Sequence, residues 1–151
     1  MLSRLTLQLQ NRWMALSSYP DMSPDSGIRQ QVNGRHDDRS LYDAVEWHQR
    51  FWYPLGVQRL LSEFVYELLT ECSGLNVGQL LPSDRLIEDL QLPLVCWFDW
   101  ELVWTEQFTM RFGLETEWML DIGEFETLQE FVLCLNKQLK QKPPTVESIR
   151  E

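Results

Sequence analysis

Few side chains in this chain could do covalent or metal chemistry, and their spacing argues against most of it. A nucleophilic triad needs a base within reach of a hydroxyl or thiol and a third group to orient it; a structural zinc centre needs four clustered ligands. The histidines are only two. His36 stands in a polar stretch and His48 on a helix face, so neither arrangement is predicted. Cys72, Cys96 and Cys134 are odd in number and form no Cys-x-x-Cys pair, which predicts free thiols in a reducing compartment rather than a disulfide framework. Glu88 and Asp89 are a conceivable acid/base pair, but adjacent residues on a turn point in different directions. Capping or solvation is their expected role. The run Glu115, Glu117, Asp121, Glu124 and Glu126 lacks the alternating oxygen ligands and central glycine of a calcium loop, and is expected to be a solvated face. No glycine-rich phosphate cradle and no Gly-x-Ser-x-Gly elbow is present. No catalytic, cofactor-binding or metal-binding residue is assigned, and an enzyme is not expected.

The 151 residues, 44% of them apolar, suit one globular domain with a real core. Lys plus Arg number 13 against 23 for Asp plus Glu, a formal charge of −10. Phosphate backbones and anionic lipids should be repelled, so nucleic acid and membrane are not expected partners. A protein with a basic surface is. Arg4 is followed by alternating leucines and polar residues without a cleavage site, and no later run approaches a membrane span. A soluble cytoplasmic protein is expected.

The elements that must position these residues are read from periodicity. Leu2, Leu5, Leu9, Trp13 and Leu16 stripe one side of a helix over residues 2 to 16, although Leu5 to Leu9 also alternates like a strand. From Ser17 to Arg39, Pro20, Pro24, Gly27, Asn33 and Gly34 predict a linker or surface loop. Ser40 should cap a helix with Leu41, Ala44, Val45, His48 and Trp52 on one face, ended by Pro54 and Gly56. Val57, Leu60, Leu61, Phe64, Val65, Leu68 and Leu69 predict a long amphipathic helix stopped at Gly74. A loop anchored by Leu80 and Leu81 leads to Ser83 and a short turn with Leu86, Ile87 and Leu90 pointing inward. A second long helix spans Phe98 to Phe112, closed by Gly113. Glu115 to Glu124 is read as a short third helix. Thr127 caps a last helix with Leu128, Phe131, Val132, Leu135 and Leu139 inward, Lys137 and Lys140 in its last turn, and Pro143-Pro144 as its stop.

From Val57 to Leu139 this order, with Leu86-Ile87-Glu88-Asp89-Leu90, Glu101-Leu102-Val103 and Thr127-Leu128 at these places, resembles the acyl carrier protein family. It is most similar to the small, functionally uncharacterised carrier-like proteins of enteric bacteria. The resemblance implies an all-α, acyl-carrier-like four-helix bundle over residues 55–151, with residues 1–54 as an N-terminal helical extension packed on it. It also implies a serine carrying phosphopantetheine. Counting from Glu88-Asp89-Leu90, the family's glycine falls at Gln91, its aspartate at Pro93 and its serine at Leu94; counting back from Glu101-Leu102-Val103 puts Cys96 at the serine position. No serine lies between Ser83 and Ser148, so neither register supplies the hydroxyl.

Trp97, Trp100, Trp104, Phe108 and Phe112 form one stripe of the second long helix, while Phe98, Leu102, Val103 and Met110 take much of the remainder. A helix apolar nearly all round is normally buried nearly all round. The N-terminal extension, with Tyr42, Trp47, Phe51, Trp52 and Tyr53, is the first expectation for what covers it; a second copy of the chain and a protein partner are the others. The leading functional expectation is a non-enzymatic interaction module, a degenerate carrier-like protein. Asp89, Asp99, Glu101 and Glu106 are its candidate acidic border for partner binding. A genuine acyl or peptidyl carrier with a non-standard attachment site is an alternative, and an acidic immunity or inhibitor protein is another.

Overall fold

The computed structural model describes residues 24–114 and 118–141. These residues are helical: α1 (Ser26–Arg35), α2 (Ala44–Trp47), α3 (Arg59–Ser73), α4 (Leu92–Val95), α5 (Trp100–Phe112) and α6 (Leu128–Lys140). Among them the only extended pairing is an isolated bridge between Arg85 and Thr127. The helix expected over residues 2 to 16 and the Pro143-Pro144 stop lie outside the described residues.

The three long helices meet around Trp104. Its ring centroid lies 5.6 Å from that of Phe64 on α3 and 5.1 Å from that of Phe131 on α6. α3 follows its predicted face, with Leu61, Phe64, Val65, Leu68 and Leu69 buried. Leu60 is the exception. It sits about 100° around the helix from Leu61, at the edge of the stripe, and is 64% exposed. Gly74 and Gly113 close α3 and α5 in the left-handed region, at φ 69° and 63°, which glycine enters without a steric penalty. Thr127 caps α6 by accepting the Glu130 N–H, and Glu130 accepts that of Glu126 in return, a near relative of the capping box. The short helix expected over Glu115 to Glu124 is, among the described residues, the 3₁₀ turn Ile122–Glu124.

Two N-terminal expectations are overturned. The stretch assigned to a loop contains α1, capped by Asp25, whose Oδ1 accepts the Ile28 N–H. Only Val32 of this helix is buried, so polar contacts fix it. Arg29 donates to the Val95 carbonyl, and Asn33 donates to Gly74 O while accepting the Asn76 N–H. Arg29 also packs against Gly74 at the C-terminal end of α3, where a helix dipole favours a cation.

The next helix begins at Asp43, whose side chain accepts the Glu46 N–H, and it widens into a π-turn over His48–Trp52. In an α-helix residues five apart are about 140° out of phase; a π-turn brings them onto one face. Trp47 and Trp52 are therefore both buried, their rings edge-to-face at 5.3 Å. Leu41 and Val45, expected on that face, are exposed.

Trp47 donates to Leu80 O, Tyr66 donates to Tyr42 O, and Tyr42 N–H donates to Gly78 O. A methyl group on Gly78 would collide with the Tyr42 backbone. Val32, Trp47 and Trp52 belong to the same buried cluster as Trp104 and Phe131, so residues 24–54 share the core of the long helices. Among the described residues, the polar contacts of residues 24–54 with the rest of the chain run to α3, α4 and the loop before Asp84.

His48 sits in this core with Nδ1 2.6 Å from Ser62 Oγ. Burial lowers its pKa below the ordinary 6.5; burial, then Arg39, does the same to His36 against the opposing pull of Asp84. Both rings bind a proton less readily in the fold than in the unfolded chain. Unfolding lets them regain their ordinary proton affinity, so their contribution is present above about pH 6.5 and is lost as pH falls from there towards the folded values. Unfolding free energy from urea titrations should therefore fall between about pH 7 and pH 6. His48→Gln should flatten that slope, and an unchanged slope in this variant would remove His48 from the cause.

Candidate partner-binding surface

The four carboxylates expected to border a partner site do not form one exposed edge. Asp89 accepts the Arg85 backbone N–H at 2.8 Å and pairs with the Arg85 guanidinium. Burial alone would raise its pKa, but these Arg85 interactions outweigh it and lower the value. Arg85 also pairs with Glu88, so the Glu88-Asp89 step is a local charge clamp.

Asp99 is 5% exposed. It stands at the start of α5, where the N-terminal helix dipole favours a carboxylate. A residue this buried does not belong to an exposed acidic border, and reversal to lysine there would bury the new charge. Glu101 is half-buried and accepts the Ile122 N–H at 2.8 Å, which spends it on fixing the 3₁₀ turn. Glu106 is half-buried; desolvation first, then Asp99, raises its pKa.

The two positions that align with a carrier's serine are equally distinct. Leu94 is 51% exposed and Cys96 is 3% exposed. Burial, and then the nearby Cys72, drives the Cys96 thiol far above its ordinary range despite the opposing effect of Arg29. A thiolate is the reactive form, so Cys96 is an inert core side chain. Cys72 is likewise pushed up, to about 11, by burial and then by Glu71 and Asp99. Gln91 has φ 51°, a left-handed conformation that non-glycine residues rarely adopt.

A different feature emerges between α3 and α5. Phe64, Glu67, Leu68 and Glu71, at i, i+3, i+4 and i+7 of one helix, face Val103, Gln107 and Arg111, at i, i+4 and i+8 of the other, across a groove of about 240 Å³. These spacings place each set along one side of its helix. Phe64 and Leu68 are buried behind the groove, so its accessible lining is mainly polar. Arg111 reaches over it, with Cζ 5.4 Å from the Phe64 ring centroid and Nη2 4.0 Å from Glu67 Oε2.

Glu67 and Glu71 were missed in the sequence because they flank the apolar stripe of α3 and look like ordinary solvated residues. The available signal was their i, i+4 spacing beside Phe64 and Leu68, on the same flank as the exposed Leu60. Among the described residues no three His, Cys, Asp or Glu side chains gather into a metal site, and no helix is long and apolar enough to cross a membrane.

No family model, no curated protein and no solved structure matches the chain. Among the described residues, fold and surface define an all-α arrangement with a groove between its first two long helices that carries Glu67, Glu71 and Arg111.

Proposed function

We propose that this chain is a non-enzymatic protein-interaction module built on a carrier-like four-helix arrangement that has lost its attachment chemistry. The observation that carries the reading is the pair of residues aligned with the carrier serine: Leu94 has no nucleophilic atom, and the Cys96 thiol is buried and held protonated. The left-handed Gln91 falls where the family's glycine aligns, and glycine is the residue that most readily adopts such a conformation. That favours the register ending at Leu94. A carrier-like scaffold without a prosthetic arm can still present its helices to proteins, and a charge of −10 speeds encounter with a basic surface.

The test has two arms. Co-expression with a broad-specificity phosphopantetheinyl transferase should leave the intact mass unchanged; an adduct that disappears in Cys96→Ala would make the chain a carrier and overturn the reading. Affinity purification of the full chain from its native source should retain a stoichiometric protein partner. Recovery of the bait alone would also count against an interaction role.

A further inference from the structure

Three sides of α5 are occupied by described residues. Trp104 and Phe108 point into the core and are fully buried. Glu101 and Thr105 accept the Ile122 and Leu120 N–H groups, which lays residues 120–122 against a second side. Val103, Gln107 and Arg111 face α3. The remaining side carries Leu102, Glu106 and Met110, each four residues from the next and so on one stripe. Met110 is 76% exposed, and Leu102 and Glu106 are half-buried. We propose that residues 2–16 of this same chain lie along that stripe as an antiparallel helix, with Leu16 beside Leu102, Arg12 beside Glu106 and Leu9 beside Met110. The assignment narrows the N-terminal extension expected over α5 to its first 16 residues, and it stands apart from the protein-interaction reading.

Position, length, pattern and charge each select this occupant. Asp25 donates its N–H to the Leu94 carbonyl, and Leu94 stands six residues before the start of α5 at Trp100. The chain leading back from residue 24 thus sets out near the N-terminal end of α5, which gives the segment an antiparallel course. Residues 17–23 span at most about 25 Å when extended, a reach that covers the first turn of α5. As a helix, residues 2–16 are about 22 Å long, against about 20 Å for the 13 residues of α5. Leu9, Arg12 and Leu16 are spaced by three and four, and Leu102, Glu106 and Met110 by four and four, so antiparallel helices bring the three pairs level. Arg12 borders the stripe of Leu2, Leu5, Leu9, Trp13 and Leu16, and residues 1–16 contain no Asp or Glu. In a chain of net charge −10, this is a basic, apolar segment. Glu106 forms no ion pair among the described residues, and burial is the first cause that raises its pKa. A half-buried carboxylate is costly unless paired; a guanidinium beside it offsets that cost.

The experiment places the photo-reactive residue p-benzoylphenylalanine at position 110 of the full chain, in place of the exposed Met110, and identifies cross-linked peptides by mass spectrometry. At low protein concentration the cross-links should fall within the monomer and join position 110 to residues 5–13. Leu9→Asp with Leu16→Asp should abolish them by removing the apolar contacts. Arg12→Glu should lower the yield about threefold, the size expected of a partly exposed pair. Adding Glu106→Arg to Arg12→Glu should restore most of it, because the pair is then remade with its charges exchanged.

Cross-links confined to other residues of the monomer, or a yield unchanged in Leu9→Asp with Leu16→Asp, would overturn the assignment. Cross-links found only in a covalent dimer would give the stripe to a second copy of the chain, and cross-links only to a co-purifying protein would give it to a partner; each refutes the proposal. Absence of any cross-link at position 110, repeated with the group at position 102, would leave the stripe bare and refute it as well. Should Leu9→Asp with Leu16→Asp lose its helical signal, the charge exchange decides: if Glu106→Arg fails to rescue Arg12→Glu, the assignment falls.

Discussion

Trp47→Ala will lower the unfolding free energy by about 3–5 kcal/mol, the range for emptying a large aromatic site in a core. Trp47 is fully buried, donates its indole N–H to the Leu80 carbonyl at 3.0 Å, and packs edge-to-face on Trp52 and Tyr66 at 5.3 and 5.4 Å. Its removal opens a cavity where the N-terminal region, α3 and the loop after α3 meet. It also leaves the Leu80 carbonyl without that donor. Domains of this size hold only about 5–15 kcal/mol in total, so the variant should show a much lower urea midpoint by circular dichroism. Trp47→Phe keeps most of the apolar body but lacks the N–H, and should fall between the two. A loss below about 1 kcal/mol for Trp47→Ala would mean that residues 24–54 do not share the core.

Asp84→Ala should be of comparable size, for an electrostatic reason. Arg39 grips the Asp84 carboxylate with both terminal nitrogens, at 2.8 and 3.1 Å, and Asp84 also accepts the Leu81 N–H at 2.7 Å. The Asp84 side chain is 6% exposed and that of Arg39 only 29%. Removing the carboxylate leaves a guanidinium poorly solvated and an amide without its acceptor, a change that costs about 3–5 kcal/mol for buried pairs. Replacing both partners by apolar residues, Arg39→Met with Asp84→Leu, should cost less than Asp84→Ala alone, because no charge is then left behind. Additive losses in the double variant, measured by the same denaturation, would show that the pair is too well hydrated to behave as a buried one.

The parts of this fold that could be read from sequence are those where one helix face decides burial. α3 and α6 show their stripes because Phe64, Val65 and Leu68, and Phe131, Val132 and Leu135, repeat at helical spacing. α1 has no such stripe, and the contacts that hold Arg29 and Asn33 reach residues far along the chain; periodicity cannot register them, although Asp25 was a cap in plain view. After Asp43 the assignment of faces was half right: His48 and Trp52 are buried as their spacing requires, whereas Leu41 and Val45, which precede the π-turn, are exposed and Trp47 takes the inward position. The candidate site failed for a related reason. Acidity says that a residue can be solvated, yet Asp99 sits inside at a helix start and Glu101 serves a neighbouring turn. Conversely, the groove exists only because two helices lie side by side, a relation that neither helix carries in its own pattern.

The segment around Asp84 has a consequence for the order in which the molecule is made. Arg39 and Asp84 are 45 residues apart, and the backbone of the same segment later receives α6, through Leu128 N–H to Asp84 O and Gln129 N–H to Pro82 O. Ribosomes add about 5–20 residues per second, so Arg39 is synthesised roughly 2–9 s before its carboxylate exists. Until Leu80 is added, Trp47 has no Leu80 carbonyl to take its indole N–H. The seam from Pro82 to Leu86 therefore joins early and late parts of the chain, holding Arg39 on one side and waiting for the start of α6 on the other.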